Sequence, residues 1–195
     1  MTLEEIFKRL WTDYTTQNPA AKKVYELFTK EGEEVLNDHI AFRTYDNAKI
    51  NIDVLSKAFL KRGYEEKGQY EFEEKHLFAK HFEHKSDKNA PRVFISQLKT
   101  SDFSEFLQKI IKSTVHNISE AALDSEELIF SGNIWGTPDY DTYLRLREES
   151  EYAAWLYLYG CVVNHFTVDV NALNGFSSIE QVNDLLKDNG YKLND

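Results

Sequence analysis

Two stretches of this chain are versions of one another. Asn37-Asp38-His39-Ile40-Ala41-Phe42 and Val163-Asn164-His165-Phe166-Thr167-Val168 superimpose at an offset of 126, each with an acid or amide before a histidine and an apolar residue after it. After a one-residue change in the loop, an offset of 127 places Ile52 on Ile179, Leu55 on Val182, Gly63 on Gly190 and Tyr64 on Tyr191. A strand, a helix and a glycine recurring in that order mark a degenerate duplication. The first copy continues through strand-like pieces at Tyr64 to Phe72, His76 to His84 and Arg92 to Leu98, giving the order βαβββ. Two such modules can pair their sheets about a pseudo-twofold axis, so that equivalent strand positions face each other across one cleft. His39 and His165 become a candidate pair.

The remaining segments read as helices. MTLEEIFKRLW has its apolar residues at helical spacing, Asn18-Pro19 opens a second helix that stops at Gly32, and Ile52, Leu55 and Phe59 form a stripe ended by Gly63. Phe103, Phe106, Leu107, Ile110 and Ile111 share another face, and a further helical stretch runs from Thr137-Pro138 to Gly160. Tyr152, Trp155, Leu156 and Tyr159 in it read as core packing. Ser177 and Glu180 are spaced as a capping box before the last helix. The expected organisation is one α+β domain over 1–195, with N-terminal helices in 1–35, a first βαβββ module in 36–99, a helical insert in 100–160 and the start of a second module in 161–195.

In LNDHIAFRTY strict alternation puts His39 and Arg43 on one face and Asp38 on the other. A single strand histidine is usually a hydrogen-bonded bystander, but duplication weakens that reading, and paired imidazoles are common ligands for a divalent metal. His76, His81, His84 and His116 read as structural. A formal charge of -10 argues against nucleic acid or an anionic membrane as partner. The single cysteine, Cys161, needs no oxidising compartment, no run is long enough to span a bilayer, and a cytoplasmic location is expected. GxGxxG, P-loop, CxxC and GxSxG patterns are absent.

DHIAFRT, FISQL, the SEYAAW helix and NHFTV resemble the signature segments of the 2-oxoadipate dioxygenase/decarboxylase family, also called hydroxyglutarate synthase and formerly a domain of unknown function. The resemblance runs from about residue 3 to the C-terminus. It implies a vicinal-oxygen-chelate, glyoxalase-like fold and one Fe(2+) ion held by two histidines, here His39 and His165, and a glutamate. It also implies a substrate-binding role for Arg43, which follows His39 in the DHIAFRT match. The reaction implied is conversion of 2-oxoadipate and dioxygen to 2-hydroxyglutarate and CO2, in lysine degradation.

The chain departs from that pattern at its end. The first module extends 35 residues beyond Gly63 to Leu98 and the second only 5 beyond Gly190, a shortfall of about 30 if the modules match. The glutamate ligand is expected to be missing with it, and the open sheet edge makes a homo-oligomer an expectation. Gln97 holds the first-module place of that glutamate, and Asp169 is too far along its strand from His165 to share an ion. A glyoxalase-type metal-dependent lyase or isomerase, and a binding module with an incomplete site, are the alternatives.

Overall fold

The computed structural model describes residues 1–194. Helices α1 (Leu3–Gln17) and α2 (Pro19–Lys30) lead into β1 (Asn37–Tyr45), α3 (Ile52–Leu60), β2 (Tyr64–Phe72), β3 (Leu77–His84) and β4 (Arg92–Leu98). Then come α4 (Glu105–His116), α5 (Glu120–Leu123), α6 (Tyr140–Glu149), α7 (Glu151–Tyr159), β5 (Val163–Val168) and α8 (Ile179–Asp188). Local chemistry sets the ends: Thr2 and Glu5 form a capping box on α1, and Pro19 opens α2 where a backbone N–H has no helical partner. Gly63 and Gly190, just past α3 and α8, take φ of 89° and 84°. That left-handed turn is why both copies of the repeat carry glycine there.

Two helix ends differ from expectation. The capping box at Ser177 and Glu180 does not form, because α8 starts one residue later on Ser178 and the Ser177 N–H donates to Gln181 Oε1 at 2.7 Å. The stretch from Thr137 to Gly160 is two helices, broken at Ser150 (φ -156°, ψ 110°). The Ser150 hydroxyl accepts from the Ala153 N–H, so one serine ends α6 and caps α7.

Among the described residues the five strands lie in one sheet, in the order β2-β3-β4-β1-β5. Strand β1 is parallel to β4 and antiparallel to β5, so the equivalent strands are neighbours in a continuous sheet and do not face each other across a gap. Ile40 pairs with Phe166, its own repeat equivalent, which places the local two-fold axis at that pair. On one face Ile40, Phe42, Val93 and Ile95 are buried in the same core as Leu55 and Phe59 of α3 and Ile6 and Leu10 of α1. Each such side chain contributes on the order of 2 kcal/mol by leaving water. The sheet is anchored from that side, which frees the other face for polar work.

A smaller cluster of Phe28, Leu173 and Val182 ties α2 to α8. Beside it the buried Glu33 carboxylate accepts from the backbone N–H of Asn174 at 2.7 Å and from that of Gly175. A Cβ on Gly175 would lie 2.6 Å from Glu33 Oε1, so any larger residue there would push the carboxylate off its two donors. Glu33→Ala leaves two backbone donors unserved and is expected to cost about 2–4 kcal/mol, read as a fall in the urea midpoint.

Candidate active site

Two matched bulges shape the polar face. Between the pairs Asn37–Val168 and Ile40–Phe166, β1 spends two residues, Asp38 and His39, where β5 has only Thr167. Between the pairs Ala41–His165 and Phe42–Val163, Asn164 is the extra residue. Asp38 and Asn164 are repeat equivalents, so the duplication has kept the bulge as well as the histidine. A bulge suspends alternation and re-aims side chains. The residue before each histidine therefore reaches that histidine's own ring: Asp38 Oδ2 lies 2.6 Å from His39 Nδ1, and Asn164 Oδ1 lies 2.9 Å from His165 Nδ1. Asp38 does not point away from His39, as alternation alone had placed it.

A carboxylate or amide oxygen only accepts, so each Nδ1 donates its N–H to the residue before it, and the two Nε2 atoms turn toward each other. The two Nε2 atoms are 3.3 Å apart, with the rings at 77°. Burial, reinforced by His39 and Arg43, lowers the His165 pKa to about 4, so its ring is neutral near pH 7. Arg92 holds the other Asp38 oxygen at 3.3 Å, and Thr167 Oγ1 accepts from the His39 backbone N–H at 3.1 Å.

Both histidines open into a cleft of about 620 Å³ that Arg43, Phe72, Phe94 and Tyr152 also line. Arg43 stands opposite Ser96 of β4. Its guanidinium carbon is 4.8 Å from the Tyr152 ring centre and 4.9 Å from that of Trp155. No acid pairs with it within 4.0 Å among the described residues: Asp38 is committed to His39 and Arg92, Asp46 accepts from the Thr100 N–H at 3.0 Å, and Glu151 at the cleft acts on it only through space. Burial lowers the Arg43 pKa from its ordinary value, yet a guanidinium stays charged at neutral pH. Tyr152 and Trp155, read from sequence as core packing, are thus Arg43's neighbours. Helical spacing carries no sign of that role.

The other candidates stand elsewhere. Gln97 turns to the opposite face, where its Oε1 accepts from the Ile52 N–H at 3.4 Å, and Asp169 accepts from the Asn171 N–H. His76 bonds Asp102 at the cleft rim, His81 bonds Tyr70 and Glu83, and His84 accepts from the Asp87 N–H. Among the described residues no three or more His, Cys, Asp or Glu side chains gather to hold a metal ion.

The sheet and its helices define a mixed α+β protein of vicinal-oxygen-chelate type. A glyoxalase superfamily protein from Ralstonia eutropha shares the fold, with a TM-score of 0.73 at 17% identity over 91% of this chain and 63% of that one. The chain belongs to the 2-oxoadipate dioxygenase/decarboxylase family, whose model matches residues 5–195. It is similar to the rice 2-oxoadipate dioxygenase/decarboxylase, chloroplastic/amyloplastic, at 32% identity over 93% of this chain and 53% of the rice protein. The structure of rice hydroxyglutarate synthase in complex with 2-oxoadipate matches with a TM-score of 0.89 at 30% identity, over 96% of this chain and 64% of that one. A Shewanella frigidimarina structure provisionally described as a hydrolase matches with a TM-score of 0.92 at 44% identity, over 98% and 74%. The chain spans about half the length of the curated relatives it matches. No helix among the described residues is long and apolar enough to cross a membrane.

Proposed function

We propose that this chain carries the metal-binding and substrate-binding face of a 2-oxoadipate dioxygenase/decarboxylase, which turns 2-oxoadipate and dioxygen into 2-hydroxyglutarate and CO2. Fe(2+) would be held through Nε2 of His39 and of His165. The observation that carries this reading is the pair of Nε2 atoms 3.3 Å apart. Two nitrogens about 2.1 Å from one ion stand roughly 3.0 Å apart at a right angle and roughly 3.4 Å apart at the tetrahedral angle, so the spacing fits a shared cation. Two imidazoles and a carboxylate are the ligand set of non-haem iron oxygenases. The described residues supply the imidazoles, and the carboxylate is not among them.

When bound, the ion would supply redox chemistry toward a 2-oxo acid and dioxygen. The protein side chains do the rest. Asp38 and Asn164 hold the two rings in register, as carboxylate–histidine pairs do at metal sites. Phe94, its ring 5.0 Å from that of His39, and Phe72 give the methylene chain an apolar wall. Arg43 takes the distal carboxylate through its N–H fork. A cytoplasmic location, read from charge and cysteine content, belongs to this proposal, while the rice relative is named chloroplastic/amyloplastic.

Among the described residues no carboxylate joins the two histidines, and this favours one alternative, a binding module that keeps the cleft without turnover. Oxygen uptake by the Fe(2+)-loaded protein separates the two. One mole of CO2 and one of 2-hydroxyglutarate per mole of oxygen consumed is expected. Binding of 2-oxoadipate without oxygen uptake would replace the enzyme reading by the binding module, and failure to bind it would end both.

A further inference from the structure

Arg43 is poised in the cleft without an ion pair. Among the described residues no carboxylate lies within 4.0 Å of it, and what flanks its guanidinium is two aromatic faces, those of Tyr152 and Trp155. Contact through the face leaves the in-plane N–H donors free for a ligand. The head is therefore only as well placed as the rings beside it.

Those rings are not equally fixed. Trp155 packs on Tyr159 at 5.1 Å, and no described residue hydrogen-bonds its indole. The Tyr152 hydroxyl is 2.7 Å from Ser96 O, to which it donates, 3.0 Å from Ser96 Oγ, and 3.2 Å from the Thr44 N–H, from which it accepts. Ser96 is the register partner of Arg43 across the β1–β4 ladder, and Thr44 is the residue after it. One phenol thus grips the backbone at Thr44, next to Arg43, and at Ser96, opposite it, while its ring carries the Arg43 head. Burial raises the phenol pKa far above its ordinary value, which keeps its proton in place and rules it out as an acid or base near neutral pH. Tyr152 stands in the first turn of α7, two residues after its Ser150 cap.

We propose that Tyr152 is a positioning residue for Arg43 and sets the preference of the cleft for 2-oxo acids with a second, distal carboxylate. This rests on the substrate reading given above. Phenylalanine keeps the ring and removes the grip, so Tyr152→Phe separates holding from packing.

The test compares 2-oxoadipate with 2-oxohexanoate, a chain of equal length that lacks the distal carboxylate. For Tyr152→Phe the KM for 2-oxoadipate is expected to rise about tenfold, with kcat and the KM for 2-oxohexanoate within twofold of wild type. Equal changes for both acids, or no change, would overturn the proposal. Should wild type turn over neither acid, the enzyme reading fails by itself, and Tyr152 is read from adipate binding by calorimetry. Tenfold weaker binding in Tyr152→Phe then supports its role. Parity, or no adipate binding by wild type, overturns it. If Tyr152→Phe unfolds, Ser96→Ala, which removes one partner of the phenol, is expected to show the same split at smaller size, and its absence overturns the proposal.

Discussion

Arg43→Lys is expected to raise the KM for 2-oxoadipate about 10- to 100-fold while leaving that for a monocarboxylic 2-oxo acid within twofold. Lysine keeps the charge, so the loss isolates the fork. A guanidinium presents two parallel N–H donors to a carboxylate, an ammonium presents a point charge, and a charge-assisted pair of this kind is worth roughly 1.5–3 kcal/mol. Lysine also loses the flat stacking between Tyr152 and Trp155 that places the head. Arg43 lies four residues after His39, about 13 Å along the strand, and its side chain can reach back to leave the span of a short dicarboxylate. Circular dichroism and the urea midpoint should match wild type, because Arg43 makes no ion pair that folding depends on. Equal KM changes for both acids, with the fold intact, would make Arg43 a structural residue.

Sequence periodicity was enough for the strands. Tyr64 to Phe72 and Arg92 to Leu98 lie where alternation puts them, and the offset between the two histidine segments reappears as the register pair Ile40–Phe166. Gly63 and Gly190 were legible because a left-handed turn leaves a chemical mark in the sequence. What escaped is what periodicity does not encode. A bulge adds one residue without changing composition, so Asp38 read as facing away from the ring it holds. Gln97 was placed by analogy between modules, but alternation in β4 gives the cleft face to Ser96 and sends Gln97 to the N-terminus of α3. Tyr152 sits in a helix whose apolar spacing looks like ordinary packing, and its contacts are with strands 108 and 56 residues away. The break at Ser150 was hidden because the segments on either side are both helical.

The central claim is that His39 and His165 share one divalent ion, and metal content tests it most directly. Wild type, His39→Ala and His165→Ala would be purified without oxygen, loaded with Fe(2+), desalted and analysed for iron. Each variant removes one of two nitrogens and leaves the other histidine with no partner across the bulged pair, so metal affinity should fall at least 100-fold. The expected result is iron bound near one per chain in wild type and lost from both variants, with all three proteins folded. Equal iron in all three, or none in wild type, would contradict a metal site between the two histidines.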